Sequence, residues 1–315
     1  MMARPSTRGG PMERLPAVRG RLVAEAALAP LTWFGVGGPA ELLFEPADET
    51  DLAAFLRARP DDLPIMPMGA ASNLLVRDGG IGGVVLRLGA GFTGIAVSGS
   101  ELTVGAGAFD VKIASAARDA GIAGLEFFRG IPGTLGGAFR SNAGAFGGEL
   151  RDVLVEAVAL DGHGRRHVLK AAELKLAYRS AEIPADWIFV QARLTGRPGD
   201  PRAISERMRA IAEARETAQP VKARSGGSTF KNPPGRKAWE LIDAAGCRGM
   251  TRGRAQVSER HCNFLVNLGA ATATDLETLG EEVRRRVQAH CGVNLEWEVV
   301  RVGEFARTPS IELKP

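Results

Sequence analysis

Glycine is concentrated in one part of this chain. Residues 69–148 hold 20 of the 40 glycines in a sequence of 315 residues. Because glycine has no Cβ, it adopts left-handed backbone conformations and lets a loop approach another group closely. This local excess predicts loops that pack tightly against a neighbouring group, and it argues against a flexible linker.

Length and composition limit the class of protein. A chain of 315 residues is long enough for about two domains with their own cores. The spacing of Cys247, Cys262 and Cys291 fits no zinc-binding pattern, so no metal site is expected. An apolar run of about 18 residues, as a membrane span needs, does not occur. We therefore expect a cytoplasmic protein with no membrane partner and a frayed leader over residues 1–30.

Basic residues are concentrated after residue 200. The formal net charge is +4, and residues 201–260 contain 13 Lys and Arg against 6 Asp and Glu. Such a segment is typical of a site for a polyanion or a phosphorylated small molecule, and a solvated helix face explains it equally well. A nucleic-acid surface would need interleaved aromatic residues, and this segment offers only Phe230 and Trp239. We therefore expect no nucleic-acid partner.

Hydrophobic periodicity and turn residues predict two α+β units that meet near Gly196–Pro201. The predicted strands of the first unit are two within Leu31–Pro46, then Val84–Leu88, Ile95–Val97, Leu102–Val104, Val153–Leu160 and Trp187–Leu194. Its predicted helices are Ala47–Arg59 and Phe109–Ala120, and residues 122–150 are expected to be rich in loops. In the second unit the predicted helices start at Pro201 with Asp200 as N-cap, cover Lys237–Ala245, and run from a Thr274-x-x-Glu277 capping box to Cys291. Its predicted strands are Asn263–Leu268 and Trp297–Val302.

Two glycine-rich segments are candidates for a cofactor site, and neither matches a Walker loop or a GxGxxG fingerprint. In residues 69–74, backbone N–H groups and polar side chains would suit a diphosphate, but a plain tight turn explains them equally well. In residues 130–144, the glycines would admit a large planar cofactor. Residues 130–137 and 141–148 are two glycine clusters in succession, which an irregular loop explains poorly, so we favour cofactor binding there. The candidate residues are Gly69, Ala70, Ala71, Ser72, Asn73, Leu74, Gly130, Ile131, Pro132, Gly133, Thr134, Gly136, Gly137, Asn142, Ala143 and Gly144.

Three further segments carry candidate catalytic side chains, and each also has a plain structural explanation. Arg179 is either a bidentate hydrogen-bond donor to a carboxylate or phosphate, or simply a surface arginine. Ser228 is either an acid whose alkoxide Lys231 stabilises or a helix cap in a turn. Glu296 and Glu298 share one face of a predicted strand, as a general acid or base or as a solvated edge.

Seven segments in register give the chain a family resemblance. They are SNLLVRDGGIGGVV, GIPGTLGGAF, NAGAFGGE, YRS, GGSTFKNP, VSERHCNFLVN and LEWEVVRVG. Together they resemble the UDP-N-acetylenolpyruvoylglucosamine reductase family, flavoenzymes of bacterial peptidoglycan (cell wall) synthesis. The resemblance implies an α+β protein with an FAD-binding domain of the vanillyl-alcohol oxidase type over residues 31–197, built from two α+β subdomains. An α+β substrate-binding domain over 198–303 and a tail over 304–315 would follow.

The resemblance also implies a reaction and its residues. An oxidoreductase of this family uses NADPH to reduce non-covalently bound FAD, whose N5 then reduces UDP-N-acetylglucosamine enolpyruvate to UDP-N-acetylmuramate. By position, Arg179 is the catalytic arginine, Ser228 the proton donor and Glu298 the catalytic glutamate. The implied substrate-binding residues are Tyr178, Lys231, Asn232, Arg224 and His261. The implied oligomeric state is a monomer.

Three features depart from the family pattern. Residues 70–71 are alanines where GGGSN is usual, which predicts tighter crowding at the flavin diphosphate. Ser141 stands where methionine is common, so the packing on the isoalloxazine ring is expected to differ. No inserted loop carries a substrate-clamping tyrosine, so the chain resembles the shorter branch of the family. Lys222, Arg224 and Arg254 are hypotheses for the UDP contacts.

The main rival is an oxidase of the same flavin fold that acts on an alcohol or a sugar. It predicts consumption of O2 without NADPH, and often a His or Cys that tethers the flavin. Neither glycine-rich segment contains a His or a Cys, which disfavours the tether.

Overall fold

The computed structural model describes residues 11–306. Residues 1–10 of the predicted leader and 307–315 of the predicted tail lie outside the described residues. The chain divides into two compact units. Unit one holds the described residues up to Ala26 together with Glu41–Gly69 and Gly83–Met208, and unit two holds Ala27–Ala40, Ala70–Gly82 and the described residues from Arg209 onward. The domain ranges inferred from the resemblance stay a prediction.

The regular elements are short and numerous. The strands are β1 Arg21–Ala27, β2 Pro39–Glu45, β3 Ile65–Pro67, β4 Leu74–Val76, β5 Ile81–Leu86, β6 Ile95–Ser98, β7 Glu101–Gly105, β8 Ile122–Ala123, β9 Gly144–Ala145, β10 Gly148–Glu149, β11 Leu154–Leu160, β12 Arg166–Lys170, β13 Ile188–Thr195, β14 Arg197–Pro198, β15 Arg224–Ser225, β16 Thr251–Arg252, β17 Ala255–Val257, β18 Leu265–Asn267 and β19 Val300–Val302. The helices are α1 Glu49–Ala58, α2 Asp110–Asp119, α3 Leu135–Arg140, α4 Leu150–Val153, α5 Pro201–Ala218, α6 Ala238–Ala244 and α7 Ala273–Cys291. Over residues 11–306, no helix combines the length and apolar character that crossing a membrane requires.

Two larger sheets form the frame of unit one, in the orders β1-β2-β5-β3 and β12-β11-β13-β7-β6. In the second sheet all neighbours are antiparallel. Along most of β13, buried residues alternate with half-buried ones, so one face of the strand packs on a core. One core of unit one joins α2, α3 and this sheet, and the other joins α1 to strands β2 and β5.

Unit two contains an antiparallel sheet of order β15-β18-β17-β16 and the parallel pair β4–β19. Helix α7 buries Leu276, Leu279, Val283 and Val287 at helical spacing, and these residues share a core with α6. In the β4–β19 pair, Leu74 lies opposite Val300. The chain that leaves the first glycine-rich segment is therefore a neighbour of the chain that follows Glu298.

Helix ends explain one correct prediction and one wrong one. Asp200 accepts a hydrogen bond from Arg202 N at 3.1 Å, as the predicted cap of α5 should. At α7 the capping box is formed by Thr272 and Asp275, two residues before the predicted pair. The predicted Thr274 instead donates its hydroxyl to Asp78 at 2.6 Å. The sequence contains two overlapping Thr-x-x-acid patterns, and tertiary contacts decide which one caps the helix.

Two predictions near the start of the described chain are wrong. β1 lies inside the range predicted as a frayed leader, because buried Asp51 accepts hydrogen bonds from Arg19 N and Gly20 N, both at 2.9 Å. The residues around Phe34 form a turn where a strand was predicted, although Thr32, Phe34 and Val36 are buried in alternation. Gly35 N donates to Thr32 O at 3.1 Å, so the backbone bonds locally instead of pairing with a neighbouring strand.

Asp110, the first residue of α2, makes the stability of the protein depend on pH. Both of its carboxylate oxygens are buried without a hydrogen-bond partner among the described residues, and burial raises the pKa of this carboxyl to about 8. The folded state therefore keeps a proton that the unfolded chain loses near 3.8, the ordinary pKa of an aspartate. Between these two values stability falls as pH rises, by up to about 1.4 kcal/mol per pH unit.

We expect Asp110→Asn, which mimics the neutral acid, to match the wild type near about pH 4 and to be increasingly more stable towards about pH 8. Calorimetric unfolding across this range measures the difference. Asp119→Asn, at the exposed opposite end of the same helix, is the matched control. A difference between Asp110→Asn and the wild type that does not change with pH would contradict the assignment.

Candidate active site

The two glycine-rich segments meet in unit one through Gly69 and Thr134. A Cβ built on Gly69 would lie 2.7 Å from Thr134 Oγ1 and 3.9 Å from Gly137 N. A larger residue at position 69 would therefore force the Thr134 side chain to shift. Residues 70–74, the rest of the first segment, belong to unit two.

Backbone hydrogen bonds hold the second segment against the chain that leads into α2. Gly136 N donates to Ala106 O at 2.8 Å, and Asp110 N donates to Gly133 O at 3.1 Å. Gly137 remains exposed. The segment is thus fixed on one side while its glycine backbone stays accessible on the other, which is what a loop that cradles a cofactor requires.

Arg179 lies in a tight turn of unit one. Ala177 and Ser180 exchange two backbone hydrogen bonds of 3.0 Å, and Arg179 has a left-handed φ of 50°. A left-handed arginine costs energy, so its surroundings must hold it there. Asn142 Nδ2 donates to Ala177 O at 3.3 Å, and Arg179 Nη1 lies 3.4 Å from Gly144 O. The predicted catalytic arginine therefore lies beside the end of the second glycine-rich segment.

Asn142 has both ends of its amide engaged by protein. Besides its bond to the Arg179 turn, its Oδ1 accepts from Arg151 N at 3.0 Å, and the residue is buried with a φ of 42°. Its predicted contact with the cofactor stays a prediction. The structure gives it a supporting task that the sequence did not indicate.

Ser228 and Glu298 lie on two segments of unit two that are paired through their backbones. Thr229 O accepts a hydrogen bond from Glu298 N at 2.8 Å. An isolated antiparallel bridge joins the adjacent residues Phe230 and Trp297. Two of the three predicted catalytic residues are thus held by one short stretch of paired chain, although they are far apart in sequence.

Asn73 ties the first glycine-rich segment to the same stretch. Its Nδ2 donates to Glu298 O at 3.0 Å, and its backbone carbonyl accepts from Val300 N at 3.0 Å. The predicted role of Asn73 as a donor to the cofactor diphosphate stays a prediction. In the structure its amide supports the chain segment that carries the predicted glutamate.

The two residues predicted to bind substrate after Ser228 have clear local partners. Lys231 Nζ lies 3.3 Å from Glu296 Oε2, and Lys231 N donates to Glu296 O at 2.9 Å. Asn232 Oδ1 accepts from Ala238 N at 3.0 Å, at the start of α6. Asn232 therefore satisfies a backbone donor at a helix start, whereas the sequence predicted for it only a contact with substrate.

The three residues suggested as UDP contacts differ in how many hydrogen bonds and ion pairs their side chains already make within the protein. Arg254 donates to the carbonyl oxygens of Leu268 and Gly269, both at 3.2 Å. Lys222 lies 3.6 Å from Glu216 and is 89% exposed. Arg224 is exposed on the edge strand β15. Arg254 thus has a structural role, while Lys222 and Arg224 present their charge to solvent.

His261 and Tyr178 complete the predicted substrate set. His261 Nδ1 accepts from Asn263 N at 3.3 Å, and its ring stands edge-on to Phe264. Burial lowers the pKa of His261, which favours a neutral imidazole. Tyr178 is 61% exposed, in the same turn of unit one as Arg179.

An ion-pair network that the sequence did not predict supports the strand after Glu298. Arg77 binds Glu277 through two hydrogen bonds of 2.9 Å, and Arg301 contacts Glu277 and Glu281 at 3.1 and 2.9 Å. The Arg77 hydrogen bond lowers the pKa of Glu277. Trp297 Nε1 donates to Glu281 at 2.8 Å under the Arg301 guanidinium.

Over residues 11–306, no group of three or more His, Cys, Asp or Glu is arranged to hold a metal ion.

Comparison with known proteins decides the family. The FAD binding domain family matches residues 40–170, and the family of the C-terminal domain of UDP-N-acetylenolpyruvoylglucosamine reductase matches residues 219–302. A protein named UDP-N-acetylenolpyruvoylglucosamine reductase from Parvibaculum lavamentivorans is 58% identical over 292 residues, 93% of this chain and 94% of its own. The chain belongs to this reductase family. A second relative of the same name, from Rhodospirillum rubrum, is 59% identical over 297 residues, 93% of each chain.

A solved structure agrees with this assignment. The crystal structure of UDP-N-acetylenolpyruvylglucosamine reductase from Thermus caldophilus aligns with a TM-score of 0.78 and 36% identity, and it covers 90% of this chain and 99% of that chain. The predicted resemblance and the α+β fold with an FAD-binding domain are thereby confirmed. The chain is an FAD-dependent oxidoreductase of this family.

The residues present fit an FAD in unit one. The matched FAD-binding region contains both glycine-rich segments, and Gly69 sits where a Cβ would collide with Thr134. Gly130 is equally restricted, since a Cβ there would lie 2.7 Å from the Phe146 ring. These contacts hold the loops against neighbouring side chains. A Cβ on the exposed Gly137 would meet only Thr134 Oγ1, at 3.8 Å, so open space lies beside this backbone for a cofactor.

Proposed function

We propose that this protein reduces the enolpyruvyl group of UDP-N-acetylglucosamine enolpyruvate to the lactyl group of UDP-N-acetylmuramate, in peptidoglycan synthesis. The observation that supports this most is 58% identity with a named reductase over 93% of the chain. FAD, when bound, would supply the hydride chemistry between NADPH and the enolpyruvyl group. The glycine-rich segments at residues 69–74 and 130–144 would hold the FAD.

Ser228 is proposed as the proton donor. Addition of hydride to the vinyl carbon leaves negative charge on the adjacent carbon and its carboxylate, and a positioned acid must then protonate that carbon. Ser228 is half-buried between the left-handed Gly227 and the buried Thr229. This backbone is paired with the Glu298 segment and cannot drift freely, which favours a fixed donor.

Arg179 and Glu298 are proposed to stabilise the enolate-like carboxylate. The planar guanidinium of Arg179 offers paired donors to a carboxylate that gains charge. The turn that holds Arg179 is fixed by Asn142, so the cation is already oriented before reaction. Glu298 would assist in its protonated form, as a hydrogen-bond donor to that carboxylate, with its backbone held by Thr229 and Asn73.

The cellular setting is part of the same proposal. The three cysteines are free thiols, as expected in a reducing compartment, and we infer that the protein acts in the cytoplasm. Lys231, Asn232, Arg224, His261 and Tyr178 stay predictions as substrate contacts. The monomeric state stays a prediction too.

An anaerobic two-step titration tests the function. NADPH should bleach the flavin absorbance of the purified protein, and UDP-N-acetylglucosamine enolpyruvate added afterwards should restore it with formation of UDP-N-acetylmuramate. An alcohol or sugar oxidase would instead consume O2 without NADPH. Failure of the enolpyruvyl compound to reoxidise the flavin would contradict the proposal.

A further inference from the structure

The segment that carries Ser228 is not part of a regular strand, so something else must hold it in place. After β15 the backbone continues through Gly226 and Gly227, and only the isolated bridge at Phe230 gives it regular pairing. Two adjacent glycines make this chain conformationally permissive. The buried side chain of Asn263 supplies much of the missing pairing, and Thr229 Oγ1 adds a hydrogen bond from Leu265 N at 3.1 Å.

Asn263 engages this segment through three groups. Its Oδ1 accepts from Phe230 N at 3.0 Å, and its Nδ2 donates to Phe230 O at 2.8 Å. Its backbone carbonyl accepts from Thr229 N at 2.7 Å. The side chain thus satisfies both backbone groups of one residue, as a neighbouring strand would, and it is only 4% exposed.

The opposite side of the segment is held by the chain around Glu298. Thr229 O accepts from Glu298 N, and Lys231 N donates to Glu296 O at 2.9 Å. Asn263 and the Glu298 segment therefore hold residues 229–231 by hydrogen bonds from two sides. Ser228 immediately precedes these residues. Loss of the Asn263 hydrogen bonds therefore shifts Ser228 relative to Glu298.

We propose that Asn263 is a positioning residue for the reaction, whose side-chain amide holds the Ser228 segment in register with the Glu298 segment. This inference rests on the proposed function, because it takes Ser228 as the acid and Glu298 as its neighbour. It assigns to Asn263 no contact with substrate or cofactor.

The chemistry of the amide provides a specific test through Asn263→Asp. A carboxylate accepts from Phe230 N but has no proton to donate to Phe230 O, and it faces that carbonyl with like partial charge. A protonated carboxyl again has one acceptor and one donor in nearly the same place. Because burial raises the pKa of a carboxyl, the protonated form should be reached at mildly acidic pH.

The titratable groups around position 263 are the same in the variant and in the wild type. His261 Nδ1 accepts from Asn263 N. The preceding residue, Cys262, contacts Arg248, whose Nη2 lies 3.7 Å from its sulfur. The 296–298 segment, which pairs with residues 229–231, carries Glu298 and Glu296, and Glu296 is paired with Lys231. Dividing the rate of the variant by the rate of the wild type at each pH therefore cancels their own titration, unless the substitution alters it.

The experiment measures single-turnover reoxidation of the reduced holoenzyme by UDP-N-acetylglucosamine enolpyruvate from about pH 5.5 to about pH 8. For Asn263→Asp we expect the rate to be about 100-fold below wild type at the alkaline end, roughly the cost of one misplaced catalytic group, and to return to within about fivefold at the acidic end. Reduction by NADPH should stay within about twofold of wild type, since the half-reaction that forms reduced flavin needs no proton from Ser228.

Asn267→Asp is the matched control. Asn267 is also buried and lies four residues along the chain. Its side chain bonds Phe34 O, Gly269 N and Ala271 N, so unlike Asn263 it has no hydrogen bond to residues 228–231 among the described residues. Its rate ratio should not depend on pH, even if the protein is less stable. Asn263→Ala should be slow at every pH, because no proton can rescue it.

Three outcomes would overturn the positioning role. One is a wild-type rate for Asn263→Asp at all pH values. Another is a pH-independent ratio, and the third is failure of Asn263→Asp to fold even at the acidic end, where its protonated carboxyl should replace the amide. Failure of the proposed function looks different, because the wild type itself would then not be reoxidised by the enolpyruvyl substrate.

Discussion

Replacing Ser228 by alanine should leave reduction of the flavin by NADPH unchanged and slow its reoxidation by the enolpyruvyl substrate by about 10³-fold. The reason is that a positioned general acid contributes about 10²–10⁴-fold. Ser228 precedes residues 229–231, which are hydrogen-bonded to Asn263 and to the Glu298 segment. Alanine at position 228 therefore removes the hydroxyl while these backbone hydrogen bonds remain. Stopped-flow measurement of both half-reactions separates the two steps.

Ser225→Ala is the matched control, because Ser225 lies three residues earlier in the same chain segment and is buried in β15. Both of its half-reactions should stay within about twofold of wild type, as expected when no group that acts in the transition state is lost. If Ser228→Ala reoxidised at the wild-type rate, Ser228 would be structural, and another group would have to supply the proton.

Replacing Arg179 by alanine should slow the same reoxidation step by about 10²–10³-fold, the usual cost of removing one preorganised donor from a site of developing negative charge. Arg179→Lys should recover only part of this loss, because a point charge lacks the planar pair of donors. The left-handed turn at Arg179 adds a second signature, since glycine in that position relieves the backbone while it removes the cation.

Arg179→Gly should therefore be as slow as Arg179→Ala in single-turnover reoxidation, yet unfold at a higher temperature than Arg179→Ala. Arg166→Ala, which removes a half-exposed arginine paired with Glu49 in the same unit, should leave the rate unchanged. A normal reoxidation rate in Arg179→Ala would remove this residue from the mechanism.

Motif order in the sequence was enough to predict the family and to nominate three candidate catalytic residues. Each motif is a short run of specific residues, and seven in register leave few alternatives. The helices were also predictable where an apolar face and a cap coincide, as in α5, whose Ile204, Met208 and Ile211 are all buried. Short irregular strands such as β12 and β17 were missed, since three to five residues carry too little periodicity.

Local pattern alone chose the wrong cap at α7 and placed a frayed leader over β1, because both depend on partners distant in sequence. Thr274 bonds Asp78, and Asp51 receives the backbone of residues 19–20. The supporting roles of Asn73 and Asn263 could not be predicted from the sequence either, because their partners are also distant in the chain. Their partners lie 225 and 33 residues away in the chain.

The sequence by itself determined the family, the chemistry of the candidate residues and the glycine-rich loops suited to a flavin. These properties reside in residue types and their order, which need no folded partner to be read. Only the tertiary structure decided which side chains hold Ser228, Glu298 and Arg179 in place. The sequence pattern does not reveal which asparagine amides will be buried. Their role arises only when folding brings a distant backbone within hydrogen-bonding distance.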